Sequence, residues 1–294
     1  MEKKVYTHIQ GGIGNQLFIF FSSYFFAKKN NAKLYVEELA TNFFDLKFKR
    51  KSKLGNFKNL IKKSNFHSTI LFSIYRIINK FYKLPKIFSI KLFRYKFSFF
   101  NDLQQNFSES FFKQYRMSTN ERVYLIGYWQ NIKYFDLKNI PILKLKNNKN
   151  NIYKKINKKD IAIHFRGGER LNPKVKKHSY LTKITFYKKA LSYLLKLNIN
   201  SNYHIFTDDI NYGELMIKKL KIKKKIIFIN KITNVDLEQF LMLTRYQNYI
   251  IANSTFSLLP ALINRNSKKI ICLSKRWGKG LFPDSLMTKE IKLF

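Results

Sequence analysis

Between Asp160 and Arg170 the chain reads Asp-Ile-Ala-Ile-His-Phe-Arg-Gly-Gly-Glu-Arg, so that His164, Arg166 and Glu169 fall around a Gly-Gly pair. An imidazole, a guanidinium and a carboxylate at this spacing can bind a phosphate and move a proton. Ile161, Ala162 and Ile163 predict a short buried parallel strand. Gly167 and Gly168 let the backbone turn tightly and come close to a ligand. Arg166 then sits at the carboxyl end of the strand, where open α/β sheets bind nucleotides. The competing reading is a structural turn in which Arg166 pairs with Glu169.

The segments after Asp160 form a regular alternation that would place these groups. Strands are expected at 161–165, 203–207, 225–229, 249–252 and 269–273, with helices at 182–197, 212–220, 236–245 and 256–263 between them. Such a series predicts a parallel sheet with helices on both faces. Three strand ends carry polar groups: His164 and Arg166, Thr207-Asp208-Asp209, and Asn253-Ser254-Thr255 with Ser257. One sheet edge with an arginine, hydroxyls and carboxylates offers donors to a diphosphate and acceptors to a ribose or base. Asp209 and Ser254 also suit helix N-caps.

The amino-terminal half is different in character. A strand at 4–8 leads into Gly11-Gly-Ile-Gly-Asn-Gln16 and an apolar helix from Leu17 to Lys28, a cradle for phosphate or sugar at a helix start. It lacks the third glycine of the dinucleotide fingerprint. A second strand is expected at 33–36. From Phe43 to Phe100 the chain is basic and aromatic, with Ile70/Leu71, Ile74, Ile77/Ile78 and Phe81 at helical spacing. That stripe predicts a core-facing helix; with Arg76, Lys80 and Lys83 between its members it also suits a helix resting on anionic lipid. Residues 88–100 continue with less order. A strand at 123–128 opens the cluster Gly127-Tyr-Trp-Gln-Asn-Ile-Lys-Tyr-Phe135, fit either to stack on a sugar or to pack Trp129 in the core. The Asn- and Lys-rich run 144–159 reads as a linker, separating domains at 1–150 and 151–294.

Composition bounds the partners. The 294 residues suit two ordinary domains, and the lone Cys272, inside Ile270-Ile-Cys-Leu273, excludes an internal disulfide and reads as an inert core thiol. Neither a secretory signal nor an apolar run of about 18 residues is found, which fits a cytoplasmic chain. The formal charge of +40, with only 17 acids, favours a polyanion: a nucleic acid, an acidic membrane or phosphorylated small molecules. No cluster has zinc-site spacing.

With these motifs in order, the chain resembles the α-1,2-fucosyltransferases, family 11 of the glycosyltransferases. Gly11-Gly-Ile-Gly-Asn-Gln-Leu-Phe18 is similar to the family's G-G-x-G-N-Q-x-F, and Gly127 to Phe135 to G-Y-[FW]-Q-S-x-K-Y-F. Phe206-Thr-Asp-Asp209 corresponds to F-S-D-D, Ile251 to Ser257 to I-A-N-S-S-F-S, and Arg276-Trp277 to a late K-R-W. The resemblance implies a GT-B-like α/β fold of two Rossmann-like domains facing a cleft. The first would be an acceptor-side domain with a basic aromatic insertion, the second the nucleotide-sugar-binding domain. It implies metal-free, inverting transfer of L-fucose from GDP-fucose to a glycan hydroxyl, the 2-OH of galactose being the family's usual target, without a cofactor. His164 would face the guanine and Arg166 the β-phosphate. Asp236 would contact the base, and Asp208 the ribose side. Asn253, Ser254, Thr255 and Ser257 would surround the nucleotide, while Gly12, Gly14, Asn15 and Gln16 form the amino-terminal cradle. Glu169 is the first candidate for the base that deprotonates the acceptor, and His178 the second.

The chain departs from the family at its signature. H-x-R-R-G-D is here His164-Phe-Arg-Gly-Gly-Glu169, without the second arginine and with Glu for Asp. Arg170 or a lysine must supply the missing cation, or the donor differs. The basic amino-terminal half points to an acceptor presented at the inner membrane face, as a lipid-linked or lipopolysaccharide glycan, with peripheral contact to anionic lipid. Three alternatives stand beside this reading: a related transferase using another nucleotide sugar, a nucleic-acid-binding protein, and a membrane-surface scaffold without transferase activity. The absence of a recognised nucleic-acid module argues against the second.

Overall fold

A computed structural model describes residues 2–38, 51–102, 107–146, 156–171, 181–199, 201–233, 235–266, 268–277 and 280–294. They form two units, Met1–Asn147 and Asn148–Phe294. Of the expected linker 144–159, residues 147–155 lie outside the described set.

The first unit runs β1 (Lys4–His8), α1 (Ile13–Lys29), β2 (Lys33–Glu37), α2 (Phe66–Tyr82), β3 (Ile87–Leu92), β4 (Tyr95–Asp102), α3 (Glu109–Gln114) and β5 (Glu121–Gly127). Its sheet has the order β2-β1-β5-β4-β3, parallel except for the antiparallel edge strand β3. α1 starts four residues earlier than its apolar run suggests. Gly11, at φ +77, turns the chain so that Gly12 becomes the N-cap and Gly14, Asn15 and Gln16 enter the first turn. β3 and β4 form a hairpin where the sequence promised little order, turning at Phe93 in the left-handed region (φ 51).

α2 overturns an expectation. Of the stripe Ile70/Leu71, Ile74, Ile77/Ile78 and Phe81, only Leu71 packs against the core; the other five side chains are exposed. The buried face is the opposite one, with Phe72 and Tyr75 stacked on β4 and β5: Tyr75 lies 4.6 Å from Phe99 and Phe72 5.0 Å from Tyr124 between ring centroids. Aromatic rings bury more area per residue than isoleucines and match the ring-lined sheet beneath them. Among the described residues no helix is long and apolar enough to cross a membrane.

The second unit runs β6 (Ile161–Phe165), α4 (Gly168–Leu171), α5 (Ile184–Lys196), β7 (Tyr203–Thr207), α6 (Ile210–Leu220), β8 (Ile226–Phe228), α7 (Asp236–Leu243), β9 (Asn248–Ile251), α8 (Thr255–Ile263), β10 (Ile270–Leu273), the short pair β11 (Arg276–Trp277) and β12 (Gly280–Leu281), and β13 (Ile291–Leu293). The sheet is parallel throughout, in the order β13-β10-β9-β6-β7-β8. The sequence missed β13 and the β11–β12 pair. Ile161, Ile163 and Phe165 pack with Phe186, Tyr187 and Leu194 of α5 and Tyr212 and Met216 of α6. Cys272 lies in this core, and burial pushes its thiol up to about 12, so it stays protonated.

Trp129 resolves the sugar-stacking alternative in favour of packing. It is fully buried, stacked on Phe107 at 5.3 Å and against Phe112 at 5.7 Å. Trp129→Ala is expected to cost about 3–5 kcal/mol of stability, read from urea unfolding.

Candidate functional site

β9, β6 and β7 are neighbours at the centre of the second sheet, so their carboxyl ends at Ile251, Phe165 and Thr207 lie side by side. The three polar ends expected from the sequence therefore share one edge, the ligand-binding edge of a parallel sheet. Asp208 ties two of them together. Its Oδ1 accepts the Gly167 N–H at 2.9 Å, and its Oδ2 lies 3.5 Å from Arg166 Nε. Arg166 thus pairs with Asp208; the side chain of Glu169, the partner expected in the turn reading, lies outside the described residues.

Gly167 and Gly168 are required here by close approach rather than by backbone angles. A Cβ on Gly167 would fall 2.4 Å from the Tyr212 ring, and one on Gly168 2.6 Å from Asp208 Oδ2. Tyr212 is itself placed by Asp209, whose side chain caps α6 by accepting the Tyr212 N–H at 2.9 Å. Tyr212 thus fills the space through which the family's second arginine would leave the backbone. Arg170, one helical turn later, reaches over and donates from Nη2 to the Asn253 carbonyl. A second guanidinium is present, offered from a different position.

Alternation along β6 turns His164 away from Ile163 and Phe165, towards α8. His164 Nδ1 and Ser257 Oγ are 2.7 Å apart, and the ring lies against Phe256 at 5.6 Å. The Ser257 hydroxyl also lies 3.4 Å from the Ser254 carbonyl, so the Nδ1 contact fixes the ring's orientation while the tautomer decides which of the two groups donates. The Tyr187 hydroxyl holds the His164 carbonyl at 3.1 Å. Burial, reinforced by the charges of Arg166 and Arg170, lowers the His164 pKa well below its ordinary value, so the ring is neutral.

At the third end, Ser254 caps α8 by accepting the Phe256 N–H, as its sequence position suggested, and Thr255 begins the helix. Asn253 is buried, and its Nδ2 has no hydrogen-bond partner among the described residues. A buried amide donor beside a helix N-terminus points to a ligand that supplies the missing acceptor.

Asp236 opens α7, the helix after β8, and α7 packs on α8 through Phe240 and Phe256, whose ring also meets His164. Gly12, Gly14, Asn15 and Gln16 belong to the first unit. Gln16 is buried, its amide nitrogen donating to the Gly11 and Lys51 carbonyls and its oxygen accepting the Lys53 N–H, so it ties down the glycine loop. Gly14 is buried in α1, whereas Gly12 is exposed with open space around it and Asn15 accepts from Gln130 at 2.9 Å. His178 lies outside the described residues. Tyr187, Tyr212 and Thr182, whose hydroxyl meets the Asn253 N–H at 3.5 Å, carried no sequence signal. Among the described residues no three His, Cys, Asp or Glu side chains gather as a metal site.

The sequence model of glycosyl transferase family 11 matches residues 4–280. The chain belongs to that family. It is therefore a glycosyltransferase. Two Escherichia coli relatives span it nearly end to end. An O-antigen biosynthesis glycosyltransferase, WbnK, is 24% identical over 94% of this chain and 95% of its own, and an alpha-1,2-colitosyltransferase is 25% identical over 93% and 92%. The structure of a mutant of Arabidopsis thaliana FUT1 in complex with GDP is similar over 97% of this chain and 72% of that one, with a TM-score of 0.52 at 12% identity, which shows the shared GT-B-like fold.

Two expectations follow. Gly167→Arg, which restores the family signature, should lower stability by about 1–3 kcal/mol through overlap with Tyr212, and adding Tyr212→Ser should recover most of the loss in thermal melts; a neutral single variant would show that Tyr212 does not exclude the arginine. His8 and His204, like His164, have pKa values lowered by burial. Below about pH 6.5 the unfolded chain binds protons that the folded chain refuses, so stability falls with pH through this window. In His164→Asn the drop in melting temperature between about pH 7.5 and about pH 5.5 should be smaller than in the parent.

Proposed function

We propose that this glycosyltransferase moves a 6-deoxyhexose, L-fucose in the first instance, from its GDP-linked donor to a glycan hydroxyl with inversion, and that the donor lies on the β9-β6-β7 edge. The observation that carries the reading is the unpartnered Asn253 Nδ2, buried at the start of α8 with the Arg170 guanidinium on the same residue's carbonyl. A diphosphate would supply the acceptor this amide lacks and the charge that Arg166 and Arg170 balance. A neutral His164 offers the base a hydrogen-bonding group without a charge.

In the reaction the acceptor oxygen attacks the anomeric carbon as the bond from that carbon to the β-phosphate oxygen breaks. The electron pair leaves with GDP, where preorganised donors oppose the growing charge. The acceptor proton passes to a base, for which Glu169 and His178 remain the candidates. Neither a cofactor nor a metal is needed in this scheme.

The name of one relative supports an acceptor in O-antigen synthesis; the 2-OH of galactose, and work at the inner face of the plasma membrane, are our own reading from the sequence motifs and the basic amino-terminal half. The name of the other relative favours one second reading: a donor carrying colitose, which is fucose without its 3-hydroxyl.

Release of nucleotide from a panel of nucleotide sugars, with EDTA present, distinguishes the donors and tests the need for metal. Arg166→Ala should lose about 2–4 kcal/mol of transition-state stabilisation, between about 30-fold and about 1,000-fold in kcat/KM. An unchanged kcat/KM would remove Arg166 from the mechanism, and a melting temperature indifferent to GDP would remove the site.

A further inference from the structure

α2 carries its most apolar stripe on an exposed side. Phe66, Ile70, Ile74, Ile77, Ile78 and Phe81 recur every three or four residues along one line of the helix. Their exposures run from 39% at Ile78 to 72% at Phe81. The helix is held from its other side: Phe72 and Tyr75 are buried in the ring cluster of the sheet, and Asn65 caps its first turn by accepting the Ser68 N–H at 3.2 Å. The outward stripe leaves much of its apolar surface exposed while the buried face anchors the helix. An exposed apolar line of this length on a rigid helix marks an interaction surface.

Charge selects the occupant. Residues 51–101 contain 12 Lys and Arg and no Asp or Glu. Lys62 lies just before the helix, Lys80 in its last turn, and Lys83 and Lys86 just beyond, all exposed. A second copy docking through the same stripe would bring two such cationic segments together without a carboxylate from either, which repulsion disfavours. A bilayer with anionic headgroups meets both requirements, since the isoleucines and phenylalanines can enter the acyl boundary while the lysines stay at headgroup level.

We propose that the outward stripe of α2 is a docking surface for an anionic membrane, on which the helix lies flat and the chain is held peripherally. An enzyme held there would meet a lipid-carried acceptor by diffusion in two dimensions. The proposal is independent of the donor assignment, because no residue of the β9-β6-β7 edge takes part.

The test is flotation of the full chain with vesicles of phosphatidylcholine alone and of about three parts phosphatidylcholine to one part phosphatidylglycerol. At low salt the anionic vesicles should carry at least about ten times more protein, and added salt should reverse the difference. Ile74→Glu with Ile77→Glu, at positions 48% and 53% exposed, should reduce flotation at least about tenfold with the melting temperature and its rise with GDP unchanged. Lys80→Ala with Lys83→Ala should weaken binding to the anionic vesicles alone. Failure of the parent chain to float would overturn the proposal, as would a double glutamate variant that floats like the parent. So would concentration-dependent self-association that the glutamates abolish, because a second copy would then cover the stripe. The GDP melting shift, read on the same samples, reports the donor site separately.

Discussion

The carboxylate of Asp208 is the constraint on which the β9-β6-β7 edge depends. Parallel strands deliver their carboxyl ends to one edge, but the loops leaving those ends diverge, and polar groups there gather only if something ties them. Asp208, leaving β7, accepts the Gly167 N–H of the loop leaving β6 and pairs with Arg166. Each of these contacts is modest for groups that are partly exposed. Their combined effect is geometric: the loop is drawn so close that Gly168 has no room for a Cβ and Gly167 lies on the Tyr212 ring. Both glycines and the position of Arg166 follow from that one short approach.

The same approach explains how this member of the family tolerates its altered signature. An arginine cannot leave the backbone at 167 while Tyr212 occupies the space, and Tyr212 is held there by the cap that Asp209 places on α6. Arg170 comes from α4 instead and binds the Asn253 carbonyl, which brings its charge to the end of β9. The exchange is local and self-consistent: glycine and tyrosine at one point, a guanidinium one turn later. Two cations at this edge also help to keep His164 neutral. The histidine acts as a hydrogen-bonding group rather than as a third charge.

How much of this was legible in the sequence depends on what each feature rests on. The β/α alternation after Asp160 was readable because each strand there is a short apolar run ending in a polar residue, and chain order then dictates which edge those ends share. Hydrophobic periodicity revealed α2 as a helix but not which side it buries, since Phe72 and Tyr75 oppose Ile74 and Ile77 and both faces are apolar. The sheet beneath, lined with Phe99 and Tyr124, made that choice, and its rings come from residues up to about fifty positions away. The β3–β4 hairpin was hidden because its turn uses Phe93 in place of glycine or asparagine. Gln16 looked like a ligand contact because it stands in a glycine loop; that residues 51 and 53 return to use its amide is a tertiary fact. The aromatic cluster around Trp129 had two readings of equal merit, and only the arrival of Phe107 and Phe112 excludes the sugar.

The two units repeat one device with different chemistry. Each ends a central parallel strand in a buried histidine with an arginine nearby: His8 at the end of β1 with Arg76, His164 on β6 with Arg166 and Arg170. In the first unit Arg76 donates to His8 Nε2 at 3.0 Å, which forces the ring proton onto Nδ1 and towards Glu37 at 2.9 Å; Glu37 in turn accepts from Thr69 of α2 at 2.9 Å. Both ring nitrogens of His8 and both carboxylate oxygens of Glu37 are engaged in that chain, and the network locks α2 to the ends of β1 and β2. In the second unit a serine takes the place of the carboxylate and no arginine hydrogen bond to Nε2 is seen among the described contacts. A closed network suits the unit whose helix must stand firm while its outer face meets something else. An open one suits the unit whose edge carries a buried amide still lacking an acceptor.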